Sequence, residues 1–283
     1  MSAKALSDTL TPAIVGNAFS ALADRHDKGL SENDIRRSLY HAATWSAIIQ
    51  AIDPNRRCSV LDIGGGNGVW TIQLARLGHR VVYVDIAERM ARIAYTNLLK
   101  SGAKANIIIG DAHNLDFLPL NYFDVILAVG DLLCYSQTPS EICYQAYKRC
   151  KPGGKMVVAV MGRFGVLQHL TNSLTVEQIK EYISNGWWIE FTQNELENGM
   201  KSSLVAHTYT VDELRQLCLS TGWHIQSFFG AGILRTLIGQ ESLMHLIDQE
   251  GIESILSLER ELAKAPALLE CAMEFGIIVK KPE

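Results

Sequence analysis

The chain has 283 residues, 48% hydrophobic and 20% charged, which is typical of a soluble globular protein with one sizeable core. Its net charge of −4 provides no bulk attraction to nucleic acid or to anionic membranes. The sequence has neither a continuous apolar run long enough to span a bilayer nor the regions of a signal peptide. Its six cysteines form no CxxC pair, so we expect reduced thiols and no metal site. We therefore expect a cytoplasmic protein without a membrane partner.

The first part of the chain is predicted to be helical, and an α/β alternation follows it. We assign residues 1–55 to a helical N-terminal lid that precedes the first strand. Short apolar runs then alternate with segments of helical period, which is typical of a parallel sheet covered on both faces. The predicted strands are CSVLDI (58–63), RVVYVDI (80–86), ANIIIGD (105–111), FDVILAVGD (123–131) and GGKMVVAVM (153–161).

The alternation is interrupted after the fifth predicted strand. Residues 163–206 are predicted to be an insertion that forms part of a substrate cap. The tail contains two more strand-like runs, GWHIQSFFGAGIL and FGIIVKK, separated by helical sequence. Because no low-complexity linker divides the chain, we predict one core domain over residues 56–283.

A cluster of glycines follows the first predicted strand, in VLDIGGGNGVW at residues 60–70. Glycine contributes no side-chain packing and costs conformational entropy, so a cluster indicates that something approaches the bare backbone closely. In open α/β sheets, nucleotides bind at this place. The glycines at 64, 66 and 68 depart from the G-x-G-x-x-G pattern of dinucleotide-binding dehydrogenases, which would require a glycine at Val69.

Two carboxylates follow the next two strands, at the same edge of the predicted sheet. Asp85 ends the second strand, where its carboxylate can accept hydrogen bonds from a ribose diol. Asp111 ends the third strand, where it can accept from the exocyclic amine of a base. A single acid at a strand end is as often a solvated surface residue. The glycine cluster, the two strand-end acids and the turn KPGGK at 151–155 follow one another along the chain. Together they favour a nucleotide-containing cofactor.

The segments VLDIGGGNG, VVYVDIAERM, NIIIGDAHNL, FDVILAVGDLLCY and CKPGGKMVV together resemble class I S-adenosylmethionine-dependent methyltransferases over residues 56–161. The resemblance implies an α/β, Rossmann-like sheet of seven strands, mostly parallel, whose last strand, FGIIVKK, is antiparallel. It implies S-adenosyl-L-methionine as cofactor and S-adenosyl-L-homocysteine as product. The cofactor-binding residues that it implies are Arg36, Asp62, Gly64, Gly65, Gly66, Asp85, Ile86, Met90, Gly110, Asp111, Ala112, Val129 and Gly130.

A narrower resemblance involves the two ends of the chain. The segments DIRRSLYHAATW and LERELAKAPALLECAMEFGIIVKKP are similar to a bacterial and archaeal group that includes a methyltransferase of a modified tRNA wobble uridine. In that group an arginine of the N-terminal helix reaches the methionine carboxylate, and Arg36 or Arg37 would be its counterpart. Adjacent helical residues point about 100° apart, so only one of them can do so, and we favour Arg36. The alternative is that Arg36 and Arg37 are both surface residues without a role in cofactor binding.

The implied chemistry requires no fixed catalytic residue, because a sulfonium is already an activated leaving group that needs alignment and exclusion of water. A general base is needed only for an acceptor that carries a proton on the attacking atom. The candidates are Asp131, which could instead cap a helix, Tyr135 and His41. Further side chains that could face an acceptor, or simply pack, are Tyr40, His169, Trp187, Trp188 and His207.

The acceptor is not specified by the sequence. We expect an enzyme that moves the methyl group by in-line displacement to a small organic acceptor. Methylation of a modified tRNA nucleotide is the first alternative, although no large basic cluster supports a nucleic-acid partner. A non-catalytic protein that binds S-adenosylmethionine is the second, and the glycine spacing disfavours a dinucleotide oxidoreductase. The accepting atom and the oligomeric state stay open.

Overall fold

The computed structural model describes residues 3–28, 35–170, 174–191 and 204–283, without the side chains of residues 24–28, 35–38, 169, 190 and 191. Seven strands of these described ranges form one sheet in the order β3-β2-β1-β4-β5-β9-β8, and the other two form a separate antiparallel ribbon. The strands are β1 Ser59–Ile63, β2 Arg80–Asp85, β3 Asn106–Ile109, β4 Phe123–Ala128, β5 Cys150–Met161, β6 Trp187–Phe191, β7 Leu204–His207, β8 His224–Ala231 and β9 Glu274–Lys280.

The directions of the strands follow the expectation for the main sheet. Strands β1 to β5 pair in parallel, and β9 runs antiparallel to both β5 and β8. The prediction of a mostly parallel seven-stranded sheet with an antiparallel last strand is therefore confirmed. Every residue of β1 and β4 is buried, as expected for central strands that are covered on both faces.

Helices cover both faces of this sheet. They are α1 Ala3–Ser7, α2 Pro12–Lys28, α3 Ile35–Ala51, α4 Val69–Arg76, α5 Glu88–Ser101, α6 Pro139–Arg149, α7 Arg163–Leu170, α8 Val176–Asn185, α9 Val211–Ser220, α10 Ile233–Ile238, α11 Gln240–Glu250, α12 Ile252–Leu262 and α13 Pro266–Leu269. A 3₁₀ helix, Leu132–Tyr135, follows β4. Alternate residues of each central strand face opposite layers, so Val60 and Leu61 belong to different hydrophobic clusters.

The three N-terminal helices have different surroundings. Helix α3 packs on β5, β8 and β9, and its Ile48 is fully buried in the same cluster as Trp70 and Leu74. Helix α2 packs on α5 instead, and α1 contacts the β6–β7 ribbon. The described part of residues 1–55 is thus mainly helical, but α3 is part of the core. The lid role of residues 1–55 stays a prediction.

The insertion after β5 is attached to the core by buried polar contacts. The guanidinium of Arg163 pairs with the Glu213 carboxylate at 2.6 Å, and the Tyr182 hydroxyl donates to the Arg163 carbonyl oxygen at 2.8 Å. The His207 ring packs between Trp187 and Tyr209, with ring centroids 5.1 and 4.6 Å away. Burial lowers the pKa of His207 to about 4, so this ring is neutral near pH 7. The aromatic residues therefore pack the insertion.

The predicted strand GWHIQSFFGAGIL is shorter in the structure. Strand β8 ends at Ala231 and α10 begins at Ile233, because Gly232 takes a left-handed conformation with φ of 75°. The buried Glu259 carboxylate then accepts hydrogen bonds from the backbone N–H groups of Ile233 and Leu234 at 3.1 and 2.9 Å. These bonds satisfy two donors of the first helical turn, which stabilises a helix start where apolar composition alone suggested a strand.

Candidate cofactor and acceptor site

A cavity of about 530 Å³ lies where β1 to β4 end. The strand order reverses between β1 and β4, and ligands of open α/β sheets bind at such a switch point. The volume lies within the range of small-molecule sites. The cavity is lined by Pro12, Val15, Phe19, Leu22, Tyr40, His41, Gly64, Gly65, Gly66, Asn67, Val69, Trp70, Val84, Asp85, Ile86, Ala87, Met90, Gly110, Asp111, Ala112, His113, Val129, Gly130, Asp131, Leu132, Tyr135, Ser136, Ile142 and Glu274.

The glycine loop after β1 serves two purposes. Gly66 has φ of 54°, and a Cβ added there would meet no atom within 4 Å, so the bare backbone borders the cavity. Gly68 has φ of 82°, and a Cβ there would lie 2.9 Å from the Cβ of Ala94 on α5. The first glycine thus admits a ligand, whereas the second permits close packing of the loop against a helix.

Asp85 is fixed at the end of β2 by backbone donors. Its Oδ2 accepts from the N–H of Gly66 at 2.9 Å, and its Oδ1 accepts from the N–H of Ala87 at 2.8 Å. Burial raises the pKa of Asp85 above its ordinary value, and these hydrogen bonds act in the opposite direction. Each carboxylate oxygen keeps lone-pair capacity for a further donor, which a ribose diol would supply.

Asp62 lies below the glycine loop and is absent from the cavity lining. It is fully buried in β1, and its Oδ2 accepts from the Thr71 hydroxyl at 2.6 Å. Burial raises the pKa of Asp62 to about 6. Its Oδ1 has no hydrogen-bond partner among the described residues. Direct contact of Asp62 with a cofactor therefore stays a prediction, whereas its support of the loop is a property of the fold.

Asp111 belongs to a short polar chain that sequence reasoning missed. Its Oδ1 contacts the Nδ1 of His113 at 2.7 Å, and the Nε2 of His113 lies 2.7 Å from the Ser136 hydroxyl. All three residues line the cavity. The histidine stands only two residues after Asp111, which is a signal within the sequence. Its partner Ser136 is 23 residues further along the chain, and no local pattern indicates that pairing.

The turn after β4 carries the residues expected next to a reacting group. The Gly130 N–H donates to the Tyr40 hydroxyl at 2.7 Å, which joins this turn to α3. Burial, with the nearby Asp131 and Glu274 carboxylates, raises the pKa of Tyr40 well above its ordinary value. Asp131 has φ of 66° and stands before the 3₁₀ helix, but its side chain makes no capping hydrogen bond. Asp131 therefore occupies the N-cap position without a side-chain cap hydrogen bond, and it lines the cavity.

Aromatic rings hold the other two catalytic candidates at the cavity. The His41 ring contacts Trp70 edge to face, with centroids 5.0 Å apart. The Tyr135 ring contacts Phe19 of α2 in the same manner at 4.8 Å. Asp131, Tyr135 and His41 thus border one cavity, although they come from two distant segments of the chain, α3 and the turn with the 3₁₀ helix after β4.

One wall of the cavity comes from α2, which lies in the predicted lid, although none of its lining residues was predicted from the sequence. Its apolar lining residues follow helical spacing, at Pro12, Val15, Phe19 and Leu22. Gly16, on the same helix, is buried, and a Cβ there would lie 3.3 Å from the carbonyl oxygen of Ile86. The period of these residues predicts an amphipathic helix. Which surface that helix covers depends on the tertiary fold.

Most of the predicted site residues therefore line one cavity, and the others either do not line it or have side chains outside the described residues. Asp62 is beneath the cavity, as described above. Arg36 lies in α3, but its side chain is outside the described residues. The described residues of the insertion, including Trp187 and Trp188, do not line the cavity, and neither does the adjacent His207, so the cap role of 163–206 stays a prediction. The side chain of His169 is not described.

The family comparison matches the part of the chain that forms this edge of the sheet. Residues 60–154 match the family described as "Methyltransferase domain". They include the glycine loop, both strand-end acids and the turn after β4. The chain carries a class I S-adenosylmethionine-dependent methyltransferase domain. Bare backbone at Gly66 and open acceptor capacity on Asp85 fit the ribose and methionine parts of that cofactor.

Curated relatives of the methyltransferase domain share its central part. A ubiquinone biosynthesis O-methyltransferase of Xanthomonas axonopodis pv. citri is 28% identical over 104 residues, which are 37% of this chain and 43% of the relative. A ubiquinone/menaquinone biosynthesis C-methyltransferase of Azotobacter vinelandii is 31% identical over 150 residues, which are 51% of this chain and 57% of the relative. The chain thus spans about half the length of the curated relatives that it matches.

A solved structure extends the likeness to most of the fold. A crystal structure of an S-adenosylmethionine-dependent methyltransferase from Methanosarcina mazei has a TM-score of 0.57 and 21% sequence identity. The superposition covers 83% of this chain and 97% of the Methanosarcina mazei chain. The narrower likeness to wobble-uridine methyltransferases stays a prediction. No described helix of this chain is long and apolar enough to cross a bilayer.

Proposed function

We propose that this protein transfers a methyl group from S-adenosylmethionine to a small organic acceptor. The observation that carries the proposal is the continuity of the cavity. Its nucleotide side, with Gly66, Asp85 and Asp111, opens directly onto an apolar wall formed by Phe19 and Leu22. A cofactor and a small, largely apolar acceptor can therefore share one cavity.

The residues present divide the binding tasks between them. Asp85 would accept hydrogen bonds from the ribose hydroxyls, and Asp111 with Ala112 would contact the adenine. Ile86 and Met90 line the cavity and would supply apolar contacts next to the base. When bound, the cofactor supplies a methyl group on a sulfonium, so that binding and alignment are the main tasks of the protein.

Exclusion of water is the task of the aromatic and aliphatic wall. Helix α2 and the 3₁₀ helix meet where Phe19 contacts Tyr135, which closes one side of the cavity. A dry site prevents water from competing for the methyl group and strengthens electrostatic contacts inside. These helices therefore serve a catalytic function without a reactive side chain.

Proton transfer is assigned to Asp131 where the acceptor needs it. The raised pKa of Tyr40 keeps its hydroxyl neutral, so Tyr40 holds Gly130 in place and does not act as a base. The Asp131 carboxylate borders the cavity at the neighbouring position and can accept a proton from a hydroxyl or amine. His41, packed on Trp70, borders the same space as a second polar group.

The charge of the lining favours a small acceptor over a nucleic acid. Among the described side chains of the lining there are four acidic residues, Asp85, Asp111, Asp131 and Glu274, and no lysine or arginine. Phosphate groups of an RNA would be repelled there, since RNA-binding sites depend on basic residues. The two relatives named for ubiquinone biosynthesis support a ring-bearing organic acceptor.

The test follows the transferred methyl group. Purified protein is incubated with methyl-labelled S-adenosylmethionine and cell extract, with and without nuclease treatment, and D85A serves as the matched inactive variant. We expect label in the low-mass organic fraction, unaffected by nuclease and nearly insensitive to moderate salt. Label in the tRNA fraction, lost at moderate salt, would establish the nucleic-acid alternative. Tight cofactor binding without labelling of any fraction would establish the non-catalytic alternative.

A further inference from the structure

A continuous chain of hydrogen bonds links Asp111 to the start of α6. Oδ1 of Asp111 contacts both the backbone N–H of His113, at 2.9 Å, and the ring Nδ1 of His113, at 2.7 Å. The His113 Nε2 contacts the Ser136 hydroxyl oxygen at 2.7 Å, and the Thr138 N–H donates to the same oxygen at 3.1 Å. Ser136 is only 4% exposed, so the chain ends in the interior.

With a neutral His113 ring, the chemistry of these groups allows one consistent assignment of protons. A carboxylate only accepts, so the proton on His113 Nδ1 must point at Asp111. In the neutral ring, Nε2 is then an acceptor, and the Ser136 hydroxyl donates to it. The Ser136 oxygen remains free to accept from Thr138. Every donor in the chain thus meets an acceptor.

The assignment determines which part of Asp111 faces a ligand. Oδ1 already receives two hydrogen bonds from His113, which use its two lone pairs. Oδ2 is the oxygen left with acceptor capacity toward the cavity that Asp111 lines. The Asp111 side chain is 35% exposed, so without the histidine its carboxylate could rotate toward solvent. His113 therefore fixes both the orientation and the polarity of this edge of the site.

We propose that His113 is a positioning residue that makes the site selective for a 6-amino purine over a 6-oxo purine. The proposal rests on the proposed function, because it concerns the purine end of the adenosyl cofactor. An adenine amine donates to the fixed Oδ2, whereas a hypoxanthine carbonyl would face it with a second acceptor and be repelled. Selection of the base thus depends on a residue that does not itself touch it.

The experiment separates positioning from general support of the fold. Calorimetry compares S-adenosylhomocysteine with its inosine counterpart in wild type, H113N, H113Q and H113L. In H113N, the side-chain N–H of the introduced asparagine stands where Nδ1 did and can still donate to Asp111. In H113Q, the amide of the introduced glutamine matches Nε2 instead and keeps only the Ser136 contact. The pair H113N and H113Q therefore isolates the bond to the carboxylate.

We expect H113Q and H113L to lose about tenfold in affinity for the adenosine ligand, the worth of one charge-assisted hydrogen bond. The affinity of H113Q and H113L for the inosine ligand should stay within about twofold of the wild-type affinity. A change of that size is about the precision to which the free-energy effects of separate mutations add. H113N should keep the preference for adenosine. Thermal unfolding of each variant checks that the fold is retained.

Three results would overturn the inference: equal losses for both ligands, no loss in H113L, or a loss in H113N as large as in H113Q. Failure of the proposed function has a different signature. Failure of methyl transfer would appear as absent labelling of a small acceptor and would leave these binding results unchanged. A site that does not take the adenosyl cofactor would bind neither the adenosine nor the inosine ligand in wild type.

Discussion

The backbone N–H of Gly66 donates to Oδ2 of Asp85 across 2.9 Å, which joins the glycine loop to the end of β2. The Ala87 N–H holds the second oxygen at 2.8 Å, so the carboxylate cannot rotate. Two residues 19 positions apart thereby form one rigid element at the cavity. Loop geometry and ligand contacts consequently depend on the same side chain.

Replacing Asp85 should therefore affect binding and stability together. D85A should weaken S-adenosylhomocysteine binding at least about tenfold, because the hydrogen bonds to the ribose diol are lost. It should also lower the free energy of unfolding by about 1–3 kcal/mol, since the N–H groups of Gly66 and Ala87 lose their acceptor. Calorimetry and urea denaturation measure the two effects. E88Q, at an exposed position three residues later, is the control and should change neither.

Asp62 should make stability depend on pH. Its pKa is raised from 3.8 to about 6, so the folded state binds the proton more tightly than the unfolded state. The stabilisation by this proton is complete below about pH 4 and is lost as the pH rises through about 6. The shift corresponds to about 3 kcal/mol.

The matched variant D62N retains an acceptor for the Thr71 hydroxyl but does not titrate. We expect wild type to lose about 3 kcal/mol of unfolding free energy relative to D62N between pH 4 and pH 7. Denaturant titrations at a series of pH values measure that difference. If the difference in unfolding free energy between wild type and D62N stays constant with pH, Asp62 has the same pKa in the folded and unfolded states.

The order of strands and the strand-end acids could be predicted because they depend on local patterns. Gly66, Asp85 and Asp111 each follow a short apolar run, and a parallel sheet brings the ends of such runs to one edge. The contacts of Glu274 could not be predicted. It reaches the cavity because β9 runs antiparallel beside β5, with Glu274 opposite Met161. That pairing joins residues more than a hundred positions apart.

Helices were harder to interpret than strands. The sequences of α2 and α3 are both amphipathic, and both were predicted to be lid. Ile48 of α3 faces the sheet and is fully buried, whereas Phe19 of α2 faces the cavity. An apolar face indicates that a helix packs on something, but its target is set by tertiary contacts. A variant that lacks residues 1–45 would therefore lose buried core residues of α3 together with the cavity wall formed by α2.

Tyr40 provides a test of its structural role against a role as base. Y40F should lower kcat about tenfold, because the Gly130 N–H loses its acceptor beside the reacting groups. The pH dependence of kcat should be unchanged, since the raised pKa keeps the Tyr40 hydroxyl neutral over the working range. Y95F, at an exposed tyrosine, controls for removal of a hydroxyl. A shifted pH profile in Y40F would instead identify Tyr40 as a titrating catalytic group.

The last prediction concerns α2 as the movable cover of the cavity. Gly16 brings this helix against Ile86, with only 3.3 Å between a Cβ at that position and the Ile86 carbonyl oxygen. G16V should therefore push α2 away from the cavity, whereas N17V adds the same side chain at an exposed position of the same helix.

In wild type, S-adenosylhomocysteine should slow proteolysis of the N-terminal segment, because a ligand that favours the closed state reduces local opening. G16V should be cut faster, should lose that protection and should bind the ligand several-fold more weakly, while N17V behaves as wild type. Mass spectrometry of the cleavage products locates the cuts. Equal cutting rates in wild type with and without ligand would show that α2 is a fixed wall, because a fixed wall is not coupled to binding.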